Sequence, residues 1–296
     1  MNIISMAGGG IGGILTVRVL QRLLELNPNY IKNTDFFAGT STGGLIALCL
    51  AMGKGLDEIY DLYDKNGPII FDPTTLGARG IICSRYDNTK YKALLDKVFG
   101  KTKIGDLGKF VLIPTFDCYG DGNPRRWKAK FFTNWNSNDP DNNEYLVDVA
   151  IRTSAAPTYF PSYGTYIDGG VVVNNPSMCA ISQVLSNITD DDERTDTLNK
   201  IRLLSIGTGA MANHIDDVNT NHGIRWLPDL ISILLDGIVD VPDYQTKTLL
   251  GGRYLRINPI VEKLPDIDDW RNRQDYVKVA DDIDMIPNVK WLNNNW

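Results

Sequence analysis

The chain has 296 residues, a mass of 33.0 kDa, 43% hydrophobic residues and a formal net charge of -6. That length and composition suit one large α/β domain with an ample core, and a pI near 5.0 argues against a general nucleic-acid-binding protein. The four cysteines have no C-x-x-C spacing and no partnered histidines, so the sequence predicts neither a metal site nor a cofactor.

Targeting signals are the next feature that the sequence bears on. A basic region followed by a long apolar run is missing at the amino terminus, and no segment reaches the length of a membrane span. We therefore expect a cytoplasmic protein. An acidic protein of this kind can still associate peripherally with a membrane, through apolar contacts more than through a polybasic patch.

The first predicted elements are a strand at residues 2–6, a glycine-rich loop at 7–13 and a helix at 14–25. Such a loop directs its N–H groups at one spot and binds an anion there. A P-loop would need a closing Gly-Lys-Ser/Thr, and a dinucleotide fingerprint would need an acidic residue at the end of the next strand, whereas Asp35 precedes it. The third interpretation, an oxyanion hole for a serine nucleophile, fits the order of the elements.

A nucleophile elbow is predicted at residues 36–50, where a short apolar strand runs through Gly39-Thr40-Ser41-Thr42-Gly43 into a series of good helix formers. So tight a turn brings backbone close to backbone, and Gly39 and Gly43 remove the Cβ atoms that would clash. Ser41 is then presented at the amino end of the helix, where free N–H groups favour negative charge.

The rest of the chain alternates helices, strands and loops. Apolar spacing predicts helices at 56–63, 91–99, 144–153 and 176–185, and strands at 111–117, 128–133, 166–168, 200–206 and 254–258. Residues 134–143 are predicted to form a surface loop, and residues 190–193 a solvated acidic turn. Residues 226–239 are predicted to form an apolar helix that packs on the core, which we favour, or that forms a lipid-facing lip.

These elements predict a single domain over residues 1–296. Within it, residues 2–210 carry the core motifs and residues 53–133 are partly cap-like. Residues 211–296 add C-terminal helices and a late strand. We find no internal repeat and no linker that would divide the chain.

A serine hydroxyl needs a base within hydrogen-bond reach before it becomes a good nucleophile. The chain has two histidines, His214 and His222, and either fits a Ser-Asp/Glu-His order. The rival base is Asp168, which lies at a predicted strand end beside two glycines. An aspartate carboxylate with its ordinary pKa of about 3.9 is a weak base, so Asp168 would need partial desolvation to become a stronger one. The residues alone leave both possibilities open.

Several motifs together resemble the patatin-like phospholipase family in order and spacing, over about residues 2–210 with weaker similarity to about residue 259. These motifs are residues 5–13, 39–44, 154–161, 168–170 with 174–176, and 205–209. The resemblance implies a three-layer α/β fold with a central, mostly parallel sheet, helices on both faces and the elbow at the carboxyl end of a strand. It also implies a Ser-Asp dyad without a catalytic histidine or metal. In that dyad Ser41 attacks the ester carbonyl, Asp168 takes its proton, and the N–H groups of Gly8, Gly9 and Gly10 hold the oxyanion.

The glycine loop departs from the family pattern, which usually begins with an acidic or small polar residue and carries a basic residue near its last glycine. Ala7, Ile11 and Gly12 occupy those places here. The resemblance therefore leaves the preferred lipid headgroup unassigned, with Arg18 and Arg79 as candidate substitutes for the missing positive charge.

The function that the resemblance implies is hydrolysis of carboxylic esters in phospholipids or other glycerolipids, at a membrane or micelle surface. An activating partner is compatible with it, and the sequence does not indicate an oligomeric state. Two alternatives stay open, an acyltransferase that uses the same dyad and a catalytically silent regulatory or storage protein.

Overall fold

The computed structural model describes residues 1–72, 84–120, 124–212 and 237–296. The strands in these ranges are β1 (Asn2–Met6), β2 (Phe36–Gly39), β3 (Phe110–Asp117), β4 (Lys128–Thr133), β5 (Tyr166–Asp168), β6 (Arg202–Ile206), β7 (Ala210–Met211), β8 (Tyr254–Ile257) and β9 (Ile260–Val261). The central sheet has the order β4-β3-β2-β1-β6-β8, and β5 pairs with β3 beyond the end of β2. The neighbouring strands β3, β2, β1, β6 and β8 are parallel to one another, whereas β4 and β5 run antiparallel to β3. The predicted strand at residues 128–133 is confirmed and pairs with β3.

Helices cover both faces of this sheet. They are α1 (Gly13–Leu26), α2 (Thr42–Ala51), α3 (Leu56–Ile70), α4 (Asn88–Phe99), α5 (Leu146–Thr153), α6 (Ser177–Leu185), α7 (Asp191–Lys200), α8 (Asp240–Leu250), α9 (Arg273–Asp282) and α10 (Ile286–Asn295). Because successive strand residues point to opposite faces, Ile3 packs with α6 and α8, whereas Ile4 packs with the cluster formed by α1 to α5, α9 and α10. The predicted three-layer α/β architecture is therefore confirmed.

One local prediction is wrong. Residues 190–193 do not form an acidic turn, because Asp190 caps α7 and accepts a hydrogen bond from the N–H of Glu193 at 2.8 Å. Asp191, Asp192 and Glu193 form the first turn of that helix, where the helix dipole favours negative charge. The predicted strand at 200–206 consequently begins only at Arg202.

Two helix boundaries also shift. The helix predicted at 56–63 continues to Ile70, and Pro176 caps α6 instead of being its first residue. Most of the predicted helix at 226–239 lies outside the described residues, as do His214, His222 and Arg79. None of the described helices combines the length and apolar character that crossing a membrane requires.

The elbow depends on close contact between α2 and β1. A Cβ built on Gly43 would overlap the backbone carbonyl oxygens of Met6 and Ala7, and one on Gly39 would overlap the carbonyl of Gly43. Both glycines are therefore required for α2 to begin directly after β2 and beside the end of β1. The steric reason given from the sequence is confirmed.

We predict that Gly43→Ala destabilises the protein by about 1–3 kcal/mol, because the backbone of Met6 and Ala7 beside the new methyl group cannot yield without moving the end of β1. Gly108→Ala is the matched control, since a Cβ there meets nothing within 4 Å. Chemical denaturation of both variants checks this. Equal stability of the two variants would contradict the packing argument.

Candidate active site

Ser41 lies at the strained apex between β2 and α2. Its φ of 53° is positive, which is uncommon for a residue other than glycine and is expected at a nucleophile elbow. The Ser41 N–H donates to Thr153 Oγ1 at 3.0 Å, and the Thr153 hydroxyl donates to the Pro114 carbonyl oxygen at 2.6 Å. Two hydrogen bonds therefore connect the elbow through the end of α5 to strand β3.

Sheet topology brings Asp168 to this serine. β2 and β5 occupy the same edge of β3, where Ala38 pairs with Leu112 and Asp168 pairs with Thr115. Because β2 is parallel to β3 and β5 is antiparallel, the carboxyl ends of β2 and β5 point at each other across a short gap. Residues 127 positions apart in the chain meet in that gap.

The two side chains form a direct hydrogen bond. Ser41 Oγ donates to Asp168 Oδ2 at 2.7 Å, and the second carboxylate oxygen, Oδ1, accepts the N–H of Gly170 at 2.6 Å. Asp168 is only 2% exposed, and among the described residues no lysine or arginine forms an ion pair with it. Burial raises the pKa of the Asp168 carboxyl from its ordinary 3.8 to about 6, against the opposing effect of these hydrogen bonds. The carboxylate is therefore a stronger base than an exposed aspartate.

The glycine loop lies beside Ser41 at the carboxyl end of β1. The Gly8 N–H donates to two oxygens of Asn174, the side-chain Oδ1 at 3.1 Å and the backbone carbonyl oxygen at 3.2 Å. The Gly8 carbonyl oxygen accepts a hydrogen bond from the Thr208 hydroxyl at 3.0 Å. The N–H groups of Gly9 and Gly10 have no acceptor among the residues that the structure describes. Gly10 has a φ of 57°, and a Cβ there would overlap the carbonyl of Ile267. The loop thus offers two free donors, and Gly8 is held in place by its neighbours.

A mostly apolar cavity opens over these residues. Ser41, Asp168, Gly9 and Gly10 all line it. Its other walls are largely aromatic and aliphatic, contributed by α2, α3, α4 and the segment after α5, and they are Leu45, Tyr63, Ile70, Phe71, Tyr91, Tyr159 and Phe160. An arrangement of few polar groups in an apolar pocket is typical of a small-molecule or lipid site.

The sequence did not indicate three of the residues that hold the site together. Thr153 ends the helix directly before the 154–161 motif, and Asn174 and Thr208 lie inside motifs that were recognised, so their positions gave the only available signal. Arg18, a candidate for the missing positive charge, forms an ion pair with Asp281 at 2.6 Å. Its charge is therefore paired with a carboxylate of α9.

Comparison with known proteins places the chain in a family. The sequence model described as Patatin-like phospholipase matches residues 4–181. A cGAMP-activated phospholipase of Pseudomonas aeruginosa is 29% identical over 268 aligned positions, which cover 87% of this chain and 78% of that protein. Patatin-like protein 1 of Oryza sativa subsp. indica is 30% identical over 310 aligned positions, which cover 87% and 73%.

A solved structure, VipD from Legionella pneumophila, aligns with 99% of this chain and 67% of its own, at 13% identity and a TM-score of 0.48. The family model and the two relatives support the general class of lipid hydrolase for this chain. The chain belongs to the patatin-like phospholipase family.

We predict that Asp168→Asn stabilises the fold at neutral pH. A raised pKa means that the folded protein holds the Asp168 proton more tightly than the unfolded chain does between pH about 4 and 6, so stability falls as pH rises through that window. Neutral asparagine avoids this loss, and a difference of about two pKa units corresponds to roughly 3 kcal/mol. Urea denaturation at pH 7.5 and pH 4 checks this. A gain at pH 7.5 that disappears at pH 4 is expected, and a loss of stability at pH 7.5 would contradict it.

Proposed function

We propose that this protein is a lipid acyl hydrolase that cleaves carboxylic esters of phospholipids or other glycerolipids through an acyl-Ser41 intermediate. The observation that carries the proposal is the 2.7 Å hydrogen bond from Ser41 Oγ to a buried carboxylate, at one end of an apolar cavity. A serine, a base that contacts it directly and nearby free N–H donors are the groups that acyl transfer requires.

The reaction proceeds in two halves. Ser41 Oγ attacks the ester carbonyl carbon while its proton passes to Asp168 Oδ2. The tetrahedral intermediate then collapses, and Asp168 returns the proton to the leaving alcohol oxygen. Water enters, gives its proton to Asp168 and attacks the acyl carbonyl. Collapse of the second intermediate releases the fatty acid and restores the Ser41 hydroxyl.

The negative oxygen of each intermediate accepts hydrogen bonds from the N–H groups of Gly9 and Gly10. Neither N–H has an acceptor among the described residues, which supports this role. Gly8 contributes by position, because its N–H is already bonded to Asn174 and its carbonyl to Thr208. The amino end of α2 adds a favourable dipole next to the same oxygen.

The cavity walls support a lipid substrate. An ester held at Ser41 extends its acyl chain over Leu45, Tyr63 and Tyr91, where apolar carbon is removed from water. Because a relative is named for its activation by cGAMP, we propose that an activator of this kind also raises the activity of this protein.

The proposal is tested by release of fatty acid from phosphatidylcholine vesicles, with and without added cGAMP. Ser41→Ala and Asp168→Asn are each expected to lower turnover at least about 10³-fold, because one removes the nucleophile and the other the base. Asp117→Asn is the matched control, since Asp117 is also buried and lies on β3, where it pairs with Tyr166, two residues before Asp168.

A second control replaces both histidines, His214 and His222, with glutamine, and turnover is expected to persist. If turnover survived in Asp168→Asn but were lost in the double histidine variant, the base would be a histidine and the Ser-Asp dyad would be contradicted. A wild-type protein that releases no fatty acid under either condition would contradict the proposed function.

A further inference from the structure

A second apolar cavity adjoins the first, on the side of Tyr63 and Tyr91 away from the glycine loop. It lies between α2, α3 and α4. Four residues, Leu45, Tyr63, Ile70 and Tyr91, line both cavities. The other described residues in its walls carry no charged side chain, and they include Cys49 on α2 and Val98 on α4. The described residues of the second cavity therefore extend the apolar wall of the first, and neither Ser41 nor Asp168 is among them.

The two tyrosines between the cavities are held by their hydroxyl groups. Tyr63 Oη donates to the Thr42 carbonyl oxygen at 3.1 Å and lies 2.6 Å from Thr42 Oγ1, and Tyr91 Oη lies 2.9 Å from Ser154 Oγ. Burial raises the pKa of both phenols well above the ordinary value, so they stay neutral. Because their polar ends are bonded beside the elbow, their rings present apolar surface to both cavities.

Helix geometry gives the direction and depth of the second cavity. Along α2, Leu45 follows Ser41 by four residues and Cys49 follows by four more, so the cavity extends about one helical turn, roughly 5.4 Å, beyond the first. Along α4, Val98 lies seven residues after Tyr91, a distance of about 10 Å. A chain attached to Ser41 that passes between the tyrosines would continue to be buried over this depth.

We propose that the second cavity binds the distal part of a long acyl chain, so that preference for long-chain over short-chain esters depends on residues of α3 and α4 that never touch the reacting atoms. This inference rests on the proposed function, since it assigns the acyl group of the same substrate. Each additional methylene that the cavity removes from water is expected to strengthen binding about fourfold.

The test fills the second cavity with a larger side chain at a half-buried position. Val98 is half-buried, lines the second cavity and does not line the first. In Val98→Trp, kcat/KM for dodecanoyl and hexadecanoyl p-nitrophenyl esters in one detergent should fall at least tenfold, whereas the butanoyl ester should change less than twofold. Ala93→Trp, on the exposed side of the same helix, is the matched control and should keep the wild-type profile.

Equal change at every chain length, or an unchanged preference in a folded Val98→Trp protein, would overturn the inference. If Val98→Trp does not fold, Val98→Phe replaces it in the same series. A parallel titration of Ser41→Ala with the fluorescent fatty acid cis-parinaric acid needs no turnover, and adding Val98→Trp should weaken binding at least tenfold. A wild-type protein inactive on every ester would contradict the proposed function, while this titration would still decide whether the cavity binds an acyl chain.

Discussion

The structure around the candidate site depends on two strands that end facing each other along one edge of β3. If β5 were parallel to β3, its carboxyl end would point away from β2, and Asp168 would lie far from the elbow. The antiparallel direction of β5 places the carboxylate 2.7 Å from Ser41 Oγ, in a direct hydrogen bond. The gap that separates the two strand ends leaves the Pro114 carbonyl without a strand neighbour on that side, and Thr153 occupies this position and also holds the Ser41 N–H. A break in sheet pairing thus becomes the point at which nucleophile, base and backbone are fixed together.

This arrangement has a free-energy cost that the rest of the fold must offset. A buried carboxylate without a described cation beside it favours the protonated form, which opposes folding at neutral pH. The positive φ of Ser41 adds strain at the same place. Both features are balanced by the extensive apolar core on the two faces of the sheet and by the hydrogen bonds that hold Gly8 from two sides. Because these contacts fix the glycine loop and the strand ends, the N–H donors of the loop and the Asp168 carboxylate are already in place before a substrate binds.

Much of this could be predicted from the sequence where the information is local. The strand, turn and helix around Ser41 follow from glycine spacing and apolar runs, and the structure has them at nearly the predicted residues. The choice of Asp168 over a histidine did not follow from the residues, because it depends on which distant strand ends meet; only the family resemblance supplied it. Asp190 was misread because acidic residues are favoured both in turns and at helix starts. The contacts of Thr153 could not be predicted, since they depend on a gap between two strands that no sequence pattern records.

The central claim is that Asp168, with a raised pKa, is the base that activates Ser41. The most direct measurement is the rate at which a fluorescent fluorophosphonate labels the protein between pH 4.5 and 8.5, with Ser41→Ala as a blank. Because only the ionised carboxylate accepts the serine proton, the rate should rise about tenfold per pH unit at low pH, bend near pH 6 and stay level above pH 7. Asp168→Asn should label at least about a hundredfold more slowly at every pH. Labelling of Asp168→Asn at the wild-type rate, or a wild-type rate that does not change between pH 5 and 7, would contradict this account.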